Sequence, residues 1–77
     1  MRPGTLVRLK PEEVDVVIYE EPFEGPMVCF LPGGTVGMYL ESKADPFRKD
    51  VIYHRLVFPE IGTLFGWVWS KDIEKVK

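Results

Sequence analysis

The chain predicts an all-β fold: a small barrel of five to six short antiparallel strands, with one short 3-10 turn before the last strand. Three observations point there. No segment of the 77 residues repeats apolar side chains at the helical period over ten or more positions. Short β-branched and aromatic runs follow one another, separated by proline, glycine and acidic turn signals. One domain of this size sits near the lower limit for a self-sufficient core, and closing a small sheet on itself removes its exposed edges.

The elements are taken in chain order. Gly4-Thr5-Leu6-Val7-Arg8-Leu9 alternates loosely after Pro3 and predicts a first strand, which Pro11 ends. Val14 to Tyr19 is β-branched and aromatic, a second strand. Glu20 to Pro26 holds two prolines and a glycine and predicts an irregular excursion. Met27 to Leu31 resumes extended structure and ends at the turn signal Pro32-Gly33-Gly34. In Thr35 to Leu40, Val36, Met38 and Leu40 share one face, with Gly37 and Tyr39 on the other. Glu41 to Asp50 is a polar loop around Pro46 with Phe47 as its apolar residue. Val51 to Phe58 is the longest strand, and its inward face is open between Ile52, Leu56, Phe58 and Val51, Tyr53, Val57. After Pro59-Glu60-Ile61-Gly62, the run Leu64 to Trp69 sets Leu64, Gly66 and Val68 against Phe65, Trp67 and Trp69. Ser70-Lys71-Asp72 suits one tight turn, and Glu74 to Lys77 a closing strand.

Composition narrows the class. The chain is 45% apolar, 13% aromatic and 29% charged, a folded composition rather than a disordered one. Cys29 is the single cysteine, which excludes an intrachain disulfide and any zinc site needing two thiolates from one chain. The start of the sequence lacks the pattern of a signal peptide and no apolar run reaches spanning length, so a cytoplasmic location is expected. Net charge is −2, unevenly spread: Pro11 to Glu41 carries seven acids and no lysine or arginine, while Ser42 onward carries seven basic residues against five acids. That asymmetry favours a charged partner or head-to-tail self-association, and lacks the basic excess of a nucleic-acid binder.

Three pieces resemble an SH3-like small β-barrel, closest to the bacterial type. They are Val17-Ile18-Tyr19-Glu20-Glu21-Pro22 before a long loop, Leu31-Pro32-Gly33-Gly34-Thr35-Val36 entering a strand, and Gly66-Trp67-Val68 followed after a short turn by Ile73. The resemblance spans residues 14 to 76 and implies a closed barrel. In eukaryotic members a proline and a tyrosine of the last strand-turn-strand serve the polyproline groove. Trp69 and Asp72 stand at those places here, so that activity is not implied. Bacterial members often act on wall polymers behind a signal peptide or beside a catalytic domain, and neither is expected here. A lone domain of this type also fits an accessory protein encoded by a phage or mobile element.

Catalytic chemistry has little foothold. His54 is the single histidine, and Ser42, Ser70 and Cys29 lack a nucleophile-elbow context. Cys29 and His54 could form a thiolate and its base. Set against that are an inert apolar cysteine and a solvent-facing strand histidine. One histidine and one cysteine fall short of a metal site. Pro32-Gly33-Gly34-Thr35 has no lysine or helix behind it and is a turn, not a phosphate loop. A non-enzymatic protein without cofactor or metal is expected.

Two features suit binding. Glu12 to Glu24 holds six carboxylates in thirteen residues, which repel one another and gain from a cationic partner, or which simply solvate a loop. Phe65, Trp67 and Trp69 form an aromatic stripe opposite the glycine-valine face. The stripe either meets a partner or lies beneath the acidic loop as a second small core. The expected role is a protein-interaction module that uses Phe65, Trp67 and Trp69, flanked by Glu20, Glu21 and Glu24 for a basic partner. The alternatives are a homo-oligomeric accessory protein using the same stripe, a nucleic-acid or ribosome-associated barrel using Arg48, Lys49, Arg55 and Lys71, and, last, a small enzyme with a site shared between chains. No membrane contact is expected.

Overall fold

A computed structural model describes residues 1–23 and 25–76. Seven strands form along the chain: β1 (Leu6–Leu9), β2 (Asp15–Tyr19), β3 (Met27–Pro32), β4 (Val36–Ala44), β5 (Ile52–Phe58), β6 (Leu64–Trp69) and β7 (Ile73–Lys75). A 3-10 turn, Ser70–Asp72, sits between the last two, as the short Ser-Lys-Asp break predicts. Each strand-like run becomes a strand, giving seven rather than five or six.

The strands make one sheet in the order β3-β2-β6-β5-β4-β1-β7, antiparallel throughout its registered pairs. Its end strands β3 and β7 do not pair with each other, so the sheet is an open, curled half-barrel. This corrects the expectation of a closed SH3-like barrel. The physical reason lies in the turn between β1 and β2. Lys10 N–H donates to Asp72 O at 2.9 Å, and Gly33 packs directly on the carbonyls of Lys10 and Glu13. That turn is wedged between the β3–β4 turn and the 3-10 turn, where closing hydrogen bonds would have to run. Side chains bridge the seam instead, since Leu31 of β3 and Ile73 of β7 share one core cluster.

Curling is built in by register and by missing side chains. A shift between Tyr39 and Glu41 leaves Leu40 as a bulge, which bends β4 between the part flanked by β1 and the part paired with β5 alone. Gly37 lies under the Phe58 ring, where an added Cβ would stand 2.8 Å from Cε1. Gly66 lies under Ile18, whose Cγ2 fills the space a side chain would need. These two glycines let β4 and β6 approach the inner face closely, as a strongly coiled sheet requires.

The inner face holds Val7, Leu9, Val16, Ile18, Tyr39, Leu56, Phe58 and Val68 beside Leu31 and Ile73, with Cys29 and Leu64 packed on its margin. Register decides the open question in β5: Leu56 pairs with Gly66 and Phe58 with Leu64, so these face in, while Tyr53, Arg55 and Val57 face out. The turn after β3 forms as expected. Thr35 Oγ1 donates to Pro32 O at 2.7 Å, and Gly34 takes φ +90°, which glycine adopts freely.

Candidate functional site on the outer face of the sheet

A sheet with one dry face normally turns polar residues outward. This one does not. Strand alternation places Phe65, Trp67 and Trp69 on the outer side of β6, and register sets them against Val57, Arg55 and Tyr53 of β5. On the other flank Tyr19 of β2 stands opposite Trp67. The result is a surface aromatic cluster on a small all-β domain.

The cluster is graded in exposure. Tyr53 and Trp67 are buried at 3% and 8%, Trp69 is half-buried, and Phe65 is open at 46%. Tyr53 is covered edge-on by Tyr19 and Phe23, with ring centroids 5.8 and 5.6 Å away. Phe23 comes from the loop after β2 and holds φ +62°, a conformation costly for a bulky side chain. Its ring contact with Tyr53 offsets that strain. Part of the cluster is therefore a second small core beneath the loop, and part remains surface.

Cations line the aromatic faces. Lys43 Nζ lies 5.6 Å from the Trp67 ring centre, Arg55 Cζ 5.3 Å from Phe65, and Lys71 Nζ 5.4 Å from Trp69. Arg55 also pairs with Glu41 at 3.5 Å, and Arg48 with Asp45 at 2.7 Å. Three of the four cations considered for nucleic acid are thus occupied with rings or acids of their own chain.

Two depressions flank Trp67 and Trp69. The wider, about 460 Å³, brings together Glu20, Val28, Lys43, Arg55, Phe65 and Trp67. The other, about 320 Å³, lies between Tyr19, Tyr53, Trp69, Arg48 and Asp72. Asp72 carries a carboxyl raised above its ordinary value, first by burial and then by the neighbouring Glu13 charge, with Lys10 opposing. Trp69 Nε1–H is buried and has no acceptor among the described residues. His54, on the inner side of β5, is held below the ordinary imidazole value by burial and, secondarily, by the positive N-terminus. Its ring meets Tyr39 edge-on at 5.3 Å.

Of the residues singled out in the sequence, Phe65, Trp67 and Glu20 come together in one depression, while Trp69 belongs to the other. Glu21 is exposed beside the loop's return at Gly25, and Glu24 lies outside the described residues. Cys29 and His54 are separated in the sheet by β2 and β6. Among the described residues, no group of three or more His, Cys, Asp or Glu side chains could hold a metal, and no helix is long and apolar enough to cross a membrane.

Sequence reasoning missed Tyr19, Phe23 and Tyr53 as partners of the tryptophans, and the exposure of Met27, Val28 and Phe30 on β3. It marked Phe47 as the loop's apolar residue without its exposure: Phe47 stands 93% exposed on a turn set by Phe47 N–H donating to Asp45 Oδ1 at 2.8 Å. A cue was present for the tyrosines: both lie on strands at positions that alternate with the core face. Compared with protein-family models, with curated proteins and with solved structures, the chain finds no match in any of the three.

Proposed function

We propose that this chain is a non-catalytic protein-interaction module whose contact surface is the outer face around Phe65, with Glu20 and Glu21 beside it favouring a basic partner. The observation that carries the reading is the exposure of Phe65 at the mouth of a depression walled by Val28 and Trp67 and bordered by charges of both signs. An open aromatic ring over a rigid, partly buried support, with a polar rim, is the arrangement that binding hot spots favour. Trp67 and Tyr53 act as that support, because their burial fixes the strand that carries Phe65.

The test is a photo-reactive phenylalanine analogue at Phe65, compared with the same analogue at Leu6, which is equally exposed on distant β1. Expected is a discrete adduct with one protein from Phe65 alone, reduced by Glu20→Lys. Equal labelling from both positions, or none from Phe65, contradicts the proposal. An adduct of twice the chain mass selects self-association on the same surface.

A further inference from the structure

The two edges of the open sheet are unlike. β7 is three residues long and carries Glu74 and Lys75, with Glu74 tied to Arg8 by a 3.0 Å ion pair. Short, charged edges resist further pairing. β3 is six residues long, and no charged residue occurs from Gly25 to Leu40. Met27, Val28 and Phe30 are 53%, 41% and 54% exposed, while Leu31 turns into the core and Cys29 packs at its margin. A register shift near Val28 and the flanking prolines shorten the usable edge, yet Cys29, Phe30 and Leu31 stay in regular register with Ile18, Val17 and Val16. Among the described residues no strand pairs with their far side. Such an edge presents unpaired backbone donors and acceptors to any extended chain that reaches it.

We infer that β3 is a strand-addition site that takes an extended segment of a basic partner protein, an inference that rests on the protein-interaction reading above. Charge selects the occupant. Acids flank both ends of β3: Glu20 bonds its N–H to Pro26 O at 2.7 Å at the start, and Asp15 stands opposite Pro32 at the end. Lys43 and Arg55 share the depression with Glu20 but lie over Trp67 and Phe65, with Arg55 paired to Glu41, and among the described residues Glu20, Glu21 and Asp15 have no ion-pair partner. A second copy added antiparallel would set the Glu20 and Glu21 end of one β3 against the Asp15 end of the other, like charge on like charge. A segment with an apolar alternation between lysines or arginines meets opposite charge at both ends. Its outward residues would extend the surface at Met27 and Phe30, and its inward ones would cover Cys29.

The experiment uses the full chain and a short capped peptide of alternating valine and threonine with lysine and arginine at both ends. Its twin carries glutamate at each basic position. Expected is slowed amide exchange at Phe30 with the basic peptide, binding at least about tenfold tighter than for the acidic twin, and weakening with salt. Phe30→Lys places a charge on the exposed side of the edge; it abolishes peptide binding and leaves the melting temperature unchanged. Equal affinity for both peptides, no binding of either, or protection at β7 in place of β3 overturns the inference. So does a dimer in sedimentation that Phe30→Lys dissolves, because the edge then belongs to a second copy. If Phe65 cross-links persist while β3 takes no peptide, the surface reading stands and only strand addition falls.

Discussion

Replacing Gly66 with alanine drives a methyl group into the most constrained crossing of the sheet. Ile18, whose Cγ2 occupies that space, is fully buried, and Tyr19 O closes the other side at 3.3 Å from the added carbon. Neither neighbour is a flexible surface side chain that can swing away. Overpacking of a close-packed interior costs about 1–3 kcal/mol, and this overlap falls toward the upper end. Alanine returns about 0.4–1 kcal/mol by narrowing the unfolded ensemble. The net loss is about 2 kcal/mol, which for a domain of this size lowers the melting temperature by roughly 8–16 °C. The decisive assay is a double-mutant cycle by thermal or urea unfolding. Ile18→Ala alone costs about 2–5 kcal/mol, but in its presence the Gly66→Ala methyl enters vacated space. The double variant should therefore be more stable than the sum of the singles implies, by about 2 kcal/mol. Additivity within about 0.5 kcal/mol would refute the argument that Gly66 exists to admit Ile18.

Three further outcomes follow from the outer and inner faces. The folded Asp72 carboxyl sits above its ordinary value, so the native state binds the extra proton and stability falls as pH rises through that window; Asp72→Asn should raise the melting temperature at pH 7 and not at pH 3. His54 is held below its ordinary value, so its contribution is complete above about pH 6.5 and is lost as pH falls toward the lowered value. His54→Phe should flatten the melting temperature between pH 7.5 and 5. Phe23→Ala removes a ring contact with Tyr53 worth about 0.5–1.5 kcal/mol. Phe23→Gly should be the milder change in urea unfolding, because glycine takes φ +62° without strain.

Local pattern carried the strands, and long-range geometry carried everything else. Proline and glycine signals separate the first strands and precede β6, and Ser70-Lys71-Asp72 marked the 3-10 turn because nothing longer fits between Trp69 and Ile73. Closure was not legible, since it depends on whether β3 and β7 meet, and the obstacle is the packing of Gly33 on the Lys10–Glu13 turn. The aromatic stripe was visible by alternation in β6 alone. Its division into sealed Trp67 and open Phe65 depends on Tyr19, Phe23 and Tyr53, brought in from other parts of the chain. The inner face of β5 was ambiguous because both its faces are apolar, which is itself the signature of a sheet with a cluster on each side.

The central claim is that the outer aromatic stripe of β6 is sealed at Trp67 and open to a partner at Phe65. Fluorine-labelled tryptophan at Trp67 and fluorine-labelled phenylalanine at Phe65, observed by NMR with a neutral soluble paramagnetic agent, test it directly. The account predicts strong broadening of the Phe65 resonance and little at Trp67, independent of protein concentration. Equal protection of both rings in the monomer would contradict it, because the β6 stripe would then present no open aromatic ring.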